Sequence, residues 1–499
     1  MGIRSTVIKP FAKRVSGQID REMQSSVLYQ RKTMEYLVRF ARNTAFGKEH
    51  RFDEIGNYKD FTKHIPLRSY EELSPFVDRI FKGESDVLWP GKPLYFVGTS
   101  GTTSGVKYIP LTKESLPYHM NTARNVIFNY AYKQGLLSIF DSKMLFLSGT
   151  PQLQEINGFK SGRLSGIINH VIPKWLQWNK IPSFKTNCIT DWEEKIKAIV
   201  RESAQQKTGL ITGITPWILM YMEYMVDHTK GKSVLDTLPD LKIVVHGGVN
   251  YAPYENRLQS LMGGDFHSFE TYPTTEGFVG FQEGSIKQGL ALNVNAGVFF
   301  EFVPISEFHA PNPTRLDLSM VEIDKEYAII INNNAGLWGS KLGDTIRFTS
   351  IDPHRFIFTG RTEHFLSAFG EHIIAREVEK AIQEAMNQEN CEVSEFTVAP
   401  QINPIDQKSP YHEWFVEFAR EPEDLERFIE ILDKALQDIN FHYKDLVNGQ
   451  IIRPLQLRRL KPGAFRRMMK VKGKLGGQNK PIRLSNNREI AGLLINEIL

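Results

Sequence analysis

Four short apolar runs constrain the fold of this 499-residue chain more than anything else in it. LYFVG (94–98), MLFLSG (144–149), GLITG (209–213) and LKIVVHGG (241–248) each end in glycine. Each is too short for a core helix and too continuously apolar for a strand with one wet face. Segments with helical spacing fall between them; in 214–227, Ile218, Tyr221, Met222 and Met225 share a face. Strand and helix in alternation predict an α/β fold, a large N-terminal domain with mainly parallel sheets covered by helices. Ligands of such sheets sit where strands end and loops begin, so the terminal glycines mark the expected rim of a site.

Outside this stretch, residues 20–45 read as helical, with Val27, Leu28, Met34, Leu37, Val38 and Ala41 at helical spacing. Residues 50–92, broken by Pro66, Pro75, Pro90 and Gly91, read as short helices and loops. Further strands are expected at 297–303, 327–332, 341–350 and 356–363. Beyond them Val378, Ala381, Ile382, Ala385 and Met386 form an amphipathic helical stripe. Strands at 396–400 and 414–419 follow, then a helix through Leu425, Phe428, Leu432, Leu436 and Ile439. Helix, strand, strand, helix is a small α+β unit. A chain of this length supports two hydrophobic cores. The expected division is 1–360 and 361–499, with the boundary near 355–365.

Two cysteines, Cys188 and Cys391, exclude a disulfide framework and a thiolate metal site. No histidine pair has zinc-ligand spacing. A net charge of +4 implies neither a nucleic-acid nor a membrane partner, and no apolar run is long enough to span a bilayer. These features predict a cytoplasmic monomer.

The segment with the most chemistry is VGTSGTTSGVKYIP at 97–110. Its glycines let backbone approach a ligand closely, and successive N–H groups there make a concave anion site. Thr99, Ser100, Thr102, Thr103 and Ser104 add hydroxyl donors, and phosphate is the natural guest. Lys107 is preceded by Val106 and followed by Tyr108, so this is not a Walker loop, and no dinucleotide fingerprint is present. ETYPTTEGF at 270–278 offers the flat Tyr272 and the carboxylate of Glu276, which suits Mg²⁺ shared with phosphates, although a capped helix start also explains Thr275 and Glu276. LGD at 342–344 puts Asp344 after a glycine turn, where it can accept ribose hydroxyls.

In order and spacing these segments resemble the acyl-adenylate-forming superfamily, which includes acyl-CoA ligases and firefly luciferase. Within it the chain is most similar to the auxin-responsive Gretchen Hagen family of acyl acid amido synthetases. Thr99 to Thr103 match the Thr/Ser-Ser-Gly-Thr-Thr phosphate loop outright, and the continuation through Pro110 looks like the amido synthetases. HGGVNYAPY (246–254) resembles the adenine-side loop and LGDTIRF the ribose segment. TGRTEHFLSAFGEHIIAREVE resembles the hinge and the start of a C-terminal lid. GQNKPIRL (477–484) resembles the C-terminal lysine segment with Pro481 and Ile482 transposed, and residues 50–92 resemble bacterial-type members.

The resemblance implies ATP and Mg²⁺ as cofactors, a small carboxylic acid and an amine or amino acid as substrates, and a small lid domain. It implies that Thr99, Ser100, Gly101, Thr102 and Thr103 hold phosphates, that Glu276, with Thr275 beside it, binds Mg²⁺, and that Asp344 binds ribose. Gly247, Gly248 and Tyr272 would frame the adenine. Lys480 would neutralise charge at the α-phosphate, with Lys474 as its rival, and Arg361 would link hinge and nucleotide or serve only as a surface charge. The alternatives are an acyl-CoA ligase, a non-catalytic nucleotide-binding protein, and a nucleic-acid binder using the basic run 458–474.

Overall fold

The computed structural model describes residues 2–100, 106–172, 177–189, 191–229, 231–248, 251–362, 365–366, 368–369, 373–402, 404–406, 409–448, 452–473, 481–485 and 488–499. They form two compact units. The larger comprises 1–251, 255–342 and 346–358, and the smaller 252–254, 343–345 and 359–499.

The larger unit begins with helices α1 (Ile3–Gln24) and α2 (Ser26–Ala41). The sequence reading placed the first helix only from about residue 20. The buried face of α1 is Ser5, Ala12, Val15, Ser16, Ile19 and Met23, half of it small residues. Its first turns therefore carry no apolar stripe facing inward. On α2, Met34, Leu37, Val38 and Ala41 are buried as expected, whereas Val27 and Leu28 face outward.

Two sheets follow. A four-stranded one runs β2 (Val106–Leu111), β1 (Tyr95–Ser100), β5 (Phe159–Gly162), β4 (Gln154–Ile156). The main sheet has eleven strands. Its parallel part is β9 (His267–Pro273), β8 (Ile243–Gly247), β7 (Thr208–Ile214), β3 (Lys143–Phe146) and β6 (Lys180–Ile181). Three of the four glycine-ended runs lie here with their neighbours; the fourth, 94–98, is β1 of the smaller sheet. Helices such as Leu116–Lys133 and Thr215–Thr229 are packed on them, as crossover connections demand.

Within the main sheet, the parallel pairs among the described residues join those five strands. On the other side β10 (Phe278–Gln282) and β11 (Leu290–Leu292) pair antiparallel, as do β12 (Val298–Pro304) and β13 (Glu326–Asn333). β14 (Ser340–Ile351) and β15 (His354–Arg361) complete the order. Tight connections such as 274–277 and 352–353 cannot carry a parallel crossover, so the strands they join must run antiparallel. A separate aromatic core holds Phe46, Phe52, Phe76, Trp89 and Trp338 under the N-terminal helices. Each such ring contributes about 1.5–3 kcal/mol by leaving water.

The smaller unit has helix Ala375–Gln388, whose five stripe residues are all buried, against β18 (Glu392–Gln401) and β19 (Tyr411–Arg420). Helix Leu425–Ile439 packs on the same core, and β20 (Gln456–Leu460) joins β19 in parallel. Between β15 and that first helix lies a two-stranded ribbon, β16 (Phe365–Leu366) with β17 (Ile373–Ile374).

Candidate active site

The glycine- and hydroxyl-rich segment lies between the strands of an antiparallel hairpin. Thr99 stands opposite Lys107 and Ser100 opposite Val106, so the register brings the two ends of the loop together. Behind it Phe96 is fully buried against Phe81 and Phe159. Gly101, Thr102 and Thr103 lie outside the described residues, and for Thr99 and Ser100 the backbone alone is described. An apolar strand of the sheet delivers the loop.

After β2 the chain turns at Thr112–Ser115, where Thr112 N donates to Ser115 Oγ (2.9 Å) and Ser115 N to Thr112 Oγ1 (3.0 Å). Thr112 Oγ1 then donates to the Asn334 carbonyl at 2.7 Å. Asn333, the last residue of β13, donates its amide to the carbonyl of Glu276 at 2.6 Å. Two adjacent asparagines thus stitch the exit of the β1–β2 hairpin to the Glu276 loop. That loop is a β-hairpin turn closed by Thr274 N to Gly277 O (2.8 Å) and Gly277 N to Thr274 Oγ1 (3.1 Å). Thr275 and Glu276 sit at its tip, so no helix starts there for them to cap.

Glu276 shares a small pocket with Ser115, Tyr118, His119, Phe278 and Asn334. Burial pushes the His119 imidazole down to about 4, which leaves it neutral at pH 7. His119, Asn333 and Asn334 escaped the sequence reading. A lone histidine on an amphipathic helix and an Asn-rich turn carry no spacing signal.

The residues that the resemblance assigns to the adenine side meet through strand register. In the parallel pair β8–β9, His246 lies beside Glu270 and Gly247 beside Thr271, so Tyr272 follows directly on the partner of Gly247. A Cβ on Gly247 would stand 2.1 Å from the Thr271 carbonyl oxygen, so only glycine permits this approach. Gly248 has φ +80°, the left-handed conformation that glycine adopts freely. The Tyr272 ring leans on Phe356 and Phe358 at centroid distances of 6.0 and 5.9 Å. His246 is buried, stacks on Tyr251 at 4.1 Å and meets Ser268 Oγ at 2.6 Å; burial pushes it down to about 3. Burial pushes Glu270 up to about 7. It too went unread, because a single acid within a strand carries no pattern.

In the smaller unit, Gly343 has φ +84° and turns the chain into Asp344. Asp344 is buried and accepts a 2.6 Å bond from Arg361 Nε. Thr362 N donates to the Gly343 carbonyl at 2.8 Å, and the Thr345 and Thr359 hydroxyls meet at 2.9 Å. Arg361 is thus engaged with the Asp344 carboxylate while remaining about half exposed. Lys474 and Lys480 lie outside the described residues. Of the basic run, Arg458 pairs with Glu413, Arg459 with Glu421, Arg467 with Glu497 and Lys472 with Glu489. These ion pairs use up charge that a nucleic-acid face would present.

Three segments match the GH3 family: its N-terminal domain over 15–168, its central domain over 291–361 and its C-terminal domain over 376–489. Together they span more than half of the sequence. The chain belongs to the GH3 family. This GH3 chain is 22% identical to the jasmonoyl–L-amino acid synthetase JAR4 of Nicotiana attenuata, over 91% of its own length and 88% of the relative's. It is 22% identical to the indole-3-acetic acid-amido synthetase GH3.15 of Arabidopsis thaliana, covering 87% of each. The fold matches the solved AtGH3.15 acyl acid amido synthetase in complex with 2,4-DB with a TM-score of 0.83 at 17% identity, covering 98% of this chain and 96% of that one. It matches 2-hydroxyisobutyryl-CoA ligase at a TM-score of 0.60 and 11% identity, covering 96% and 92%. The two curated relatives are plant proteins, and nothing in them singles out the bacterial-type subgroup that residues 50–92 suggested.

Proposed function

We propose that this GH3 chain uses ATP to convert a small carboxylic acid into its acyl-adenylate and then transfers the acyl group to the amine of an amino acid. The observation that carries this reading is that, in a GH3 chain, the phosphate-type hairpin and the Glu276 loop are tied together through Asn333 and Asn334.

The chemistry sets what these residues must do. A carboxylate is a poor electrophile. Its oxygen attacks the α-phosphorus of ATP, the bond to the β-phosphate oxygen breaks and pyrophosphate leaves. The mixed anhydride then accepts an amine at its carbonyl carbon, AMP departs with the bonding pair, and the amine nitrogen gives up its proton. The protein contributes positioning and cancellation of charge. The backbone and hydroxyls of 99–103 hold the phosphates. Gly247 and Gly248 give the adenine room beside Tyr272. Asp344 accepts the ribose hydroxyls, with Arg361 holding its carboxylate in place. Lys480 meets the negative charge that develops at the α-phosphate.

Glu276 is the proposed ligand of Mg²⁺. Among the described residues no group of three or more His, Cys, Asp or Glu side chains could cage a metal. One carboxylate at a phosphate site suits Mg²⁺, which takes its other ligands from phosphate oxygens and water. When bound, the ion neutralises phosphate charge.

Measuring the half-reactions separately tests the assignment. Lys480→Ala should slow pyrophosphate release at least roughly tenfold, leave ATP binding within a few-fold, and affect amide formation from supplied acyl-adenylate much less. Equal loss in both steps, or loss only with Lys474→Ala, rejects Lys480. AMP release that requires CoA and ignores amino acids converts the reading to an acyl-CoA ligase. No pyrophosphate release with any acid leaves a nucleotide-binding protein.

A further inference from the structure

The outward face of α1 is built the wrong way round for water. Its inward face is rich in serine and alanine, while Ile3, Val7 and Phe11, one helical turn apart, face out with exposures of 86%, 69% and 44%. A helix whose only task is to pack on its own core carries polar residues at those positions. Phe11 has a partial cover in Phe128 and the Arg124 guanidinium, at 5.5 Å each. The exposures of Ile3 and Val7 leave them open.

The same end of the unit presents Trp178, 81% exposed. Its position beside α1 is fixed by its neighbour: Asn179 Oδ1 accepts a 2.8 Å bond from Arg4. Lys143 bonds the Trp178 carbonyl.

The charges that α1 itself exposes before Asp20 have one sign. Arg4, Lys9, Lys13 and Arg14 are all exposed, and α1 holds no acid before Asp20. Asp141 lies near its start, but its carboxylate accepts the Gly2 and Ser5 N–H groups at 2.8 and 3.0 Å. Asp20 is held by Lys133 at 2.6 Å, and Glu22 accepts from Asn295 at 2.7 Å.

We propose that this face, with Ile3, Val7 and Trp178 at its centre and Arg4, Lys9, Lys13 and Arg14 around them, seats on an anionic lipid surface. Apolar residues and an indole ringed by cations are the composition of a helix lying in a membrane interface. Long basic side chains keep their heads at the phosphates while their stems lie along apolar surface. Such docking needs no spanning segment, and none of the described helices is long and apolar enough to be one. It reverses the sequence-based expectation of no membrane partner, which rested on that absence and on net charge. An acidic protein would match the same charges, and the test below separates it from a lipid surface.

The test is flotation of the full chain with vesicles of phosphatidylcholine alone and of phosphatidylcholine with phosphatidylserine at about three to one. The chain should float with the anionic vesicles alone and be released by about 0.5 M salt. Lys9→Glu with Lys13→Glu should weaken binding at least roughly five-fold per cation removed, and Val7→Glu should abolish it. Trp178→Ala should weaken binding without disturbing α1, which guards against misfolding of Val7→Glu. All variants should keep wild-type pyrophosphate release. Absence of binding, or equal binding to both vesicles, overturns the proposal. So does a dimer in sedimentation that Val7→Glu abolishes, which gives the face to a second copy. Binding to poly-L-glutamate without binding to vesicles gives it to an acidic protein.

Discussion

Replacing Gly247 by alanine tests whether the close approach of β8 and β9 builds the nucleotide site. The added Cβ would lie 2.1 Å from the Thr271 carbonyl oxygen. That oxygen belongs to backbone in register with Gly247, so it cannot swing aside as a side-chain tip would. The strands must part by about 1 Å before the contact reaches van der Waals distance. Overpacking on this scale costs about 1–3 kcal/mol. The displacement falls on the residue before Tyr272, so it moves the proposed adenine platform as well. Misplacement of about 1 Å costs on the order of 100-fold in rate. Gly247→Ala should therefore lower the urea midpoint of the fluorescence transition and slow pyrophosphate release about 100-fold. A variant whose stability stays within about 0.5 kcal/mol and whose rate is normal would show that the strands give way freely, and the argument from close approach would fail.

Three further outcomes follow from the same geometry. Glu276→Gln should slow adenylation at limiting Mg²⁺ by at least roughly tenfold while the protein stays folded, because Thr274 and Asn333 close the turn around it and the amide keeps the shape of the carboxylate. Asp344→Asn should raise the KM for ATP about tenfold and leave kcat within about two-fold, as loss of a contact made equally in ground and transition states does. Burial raises Glu270 from 4.5 to about 7, so the folded state binds an extra proton between those values, and the stability this contributes is present below pH 4.5 and lost as pH rises to 7. Glu270→Gln should then be more stable than wild type at pH 8 by up to roughly 3 kcal/mol and equal to it near pH 4, as read by urea titration at the two pH values.

What was legible in the sequence follows from which residues carry periodic signals. The runs that became β3, β7 and β8 and the stripe on Ala375–Gln388 were visible because apolar residues dominate their inward positions. The first turns of α1 were not, because Ser5, Ala12 and Ser16 face inward while Ile3 and Val7 face out. On the antiparallel side of the main sheet, β12 to β15 are legible as strands but not as pairings, since a strand's sequence does not reveal the direction of its neighbour, and the short β10 and β11 are not legible at all. At the site, the glycine-rich segment, Glu276 and Asp344 stood out by motif. The residues that join these pieces, Asn333 and Asn334, act through bonds to loops more than 50 positions away, and no local pattern encodes that.

Strand β14 begins and ends in the larger unit, yet its residues 343–345 group with the smaller one. The smaller unit is therefore not a module that can be lifted out at a single junction. A chimera that takes 359–499 from a relative would import a foreign counterpart of Arg361 while keeping the resident Asp344, and the 2.6 Å pair between them would be made by two different ancestries. Exchange of that unit within the family has to carry two pieces of chain, and a substitution at either Asp344 or Arg361 constrains what evolution or an engineer can place at the other.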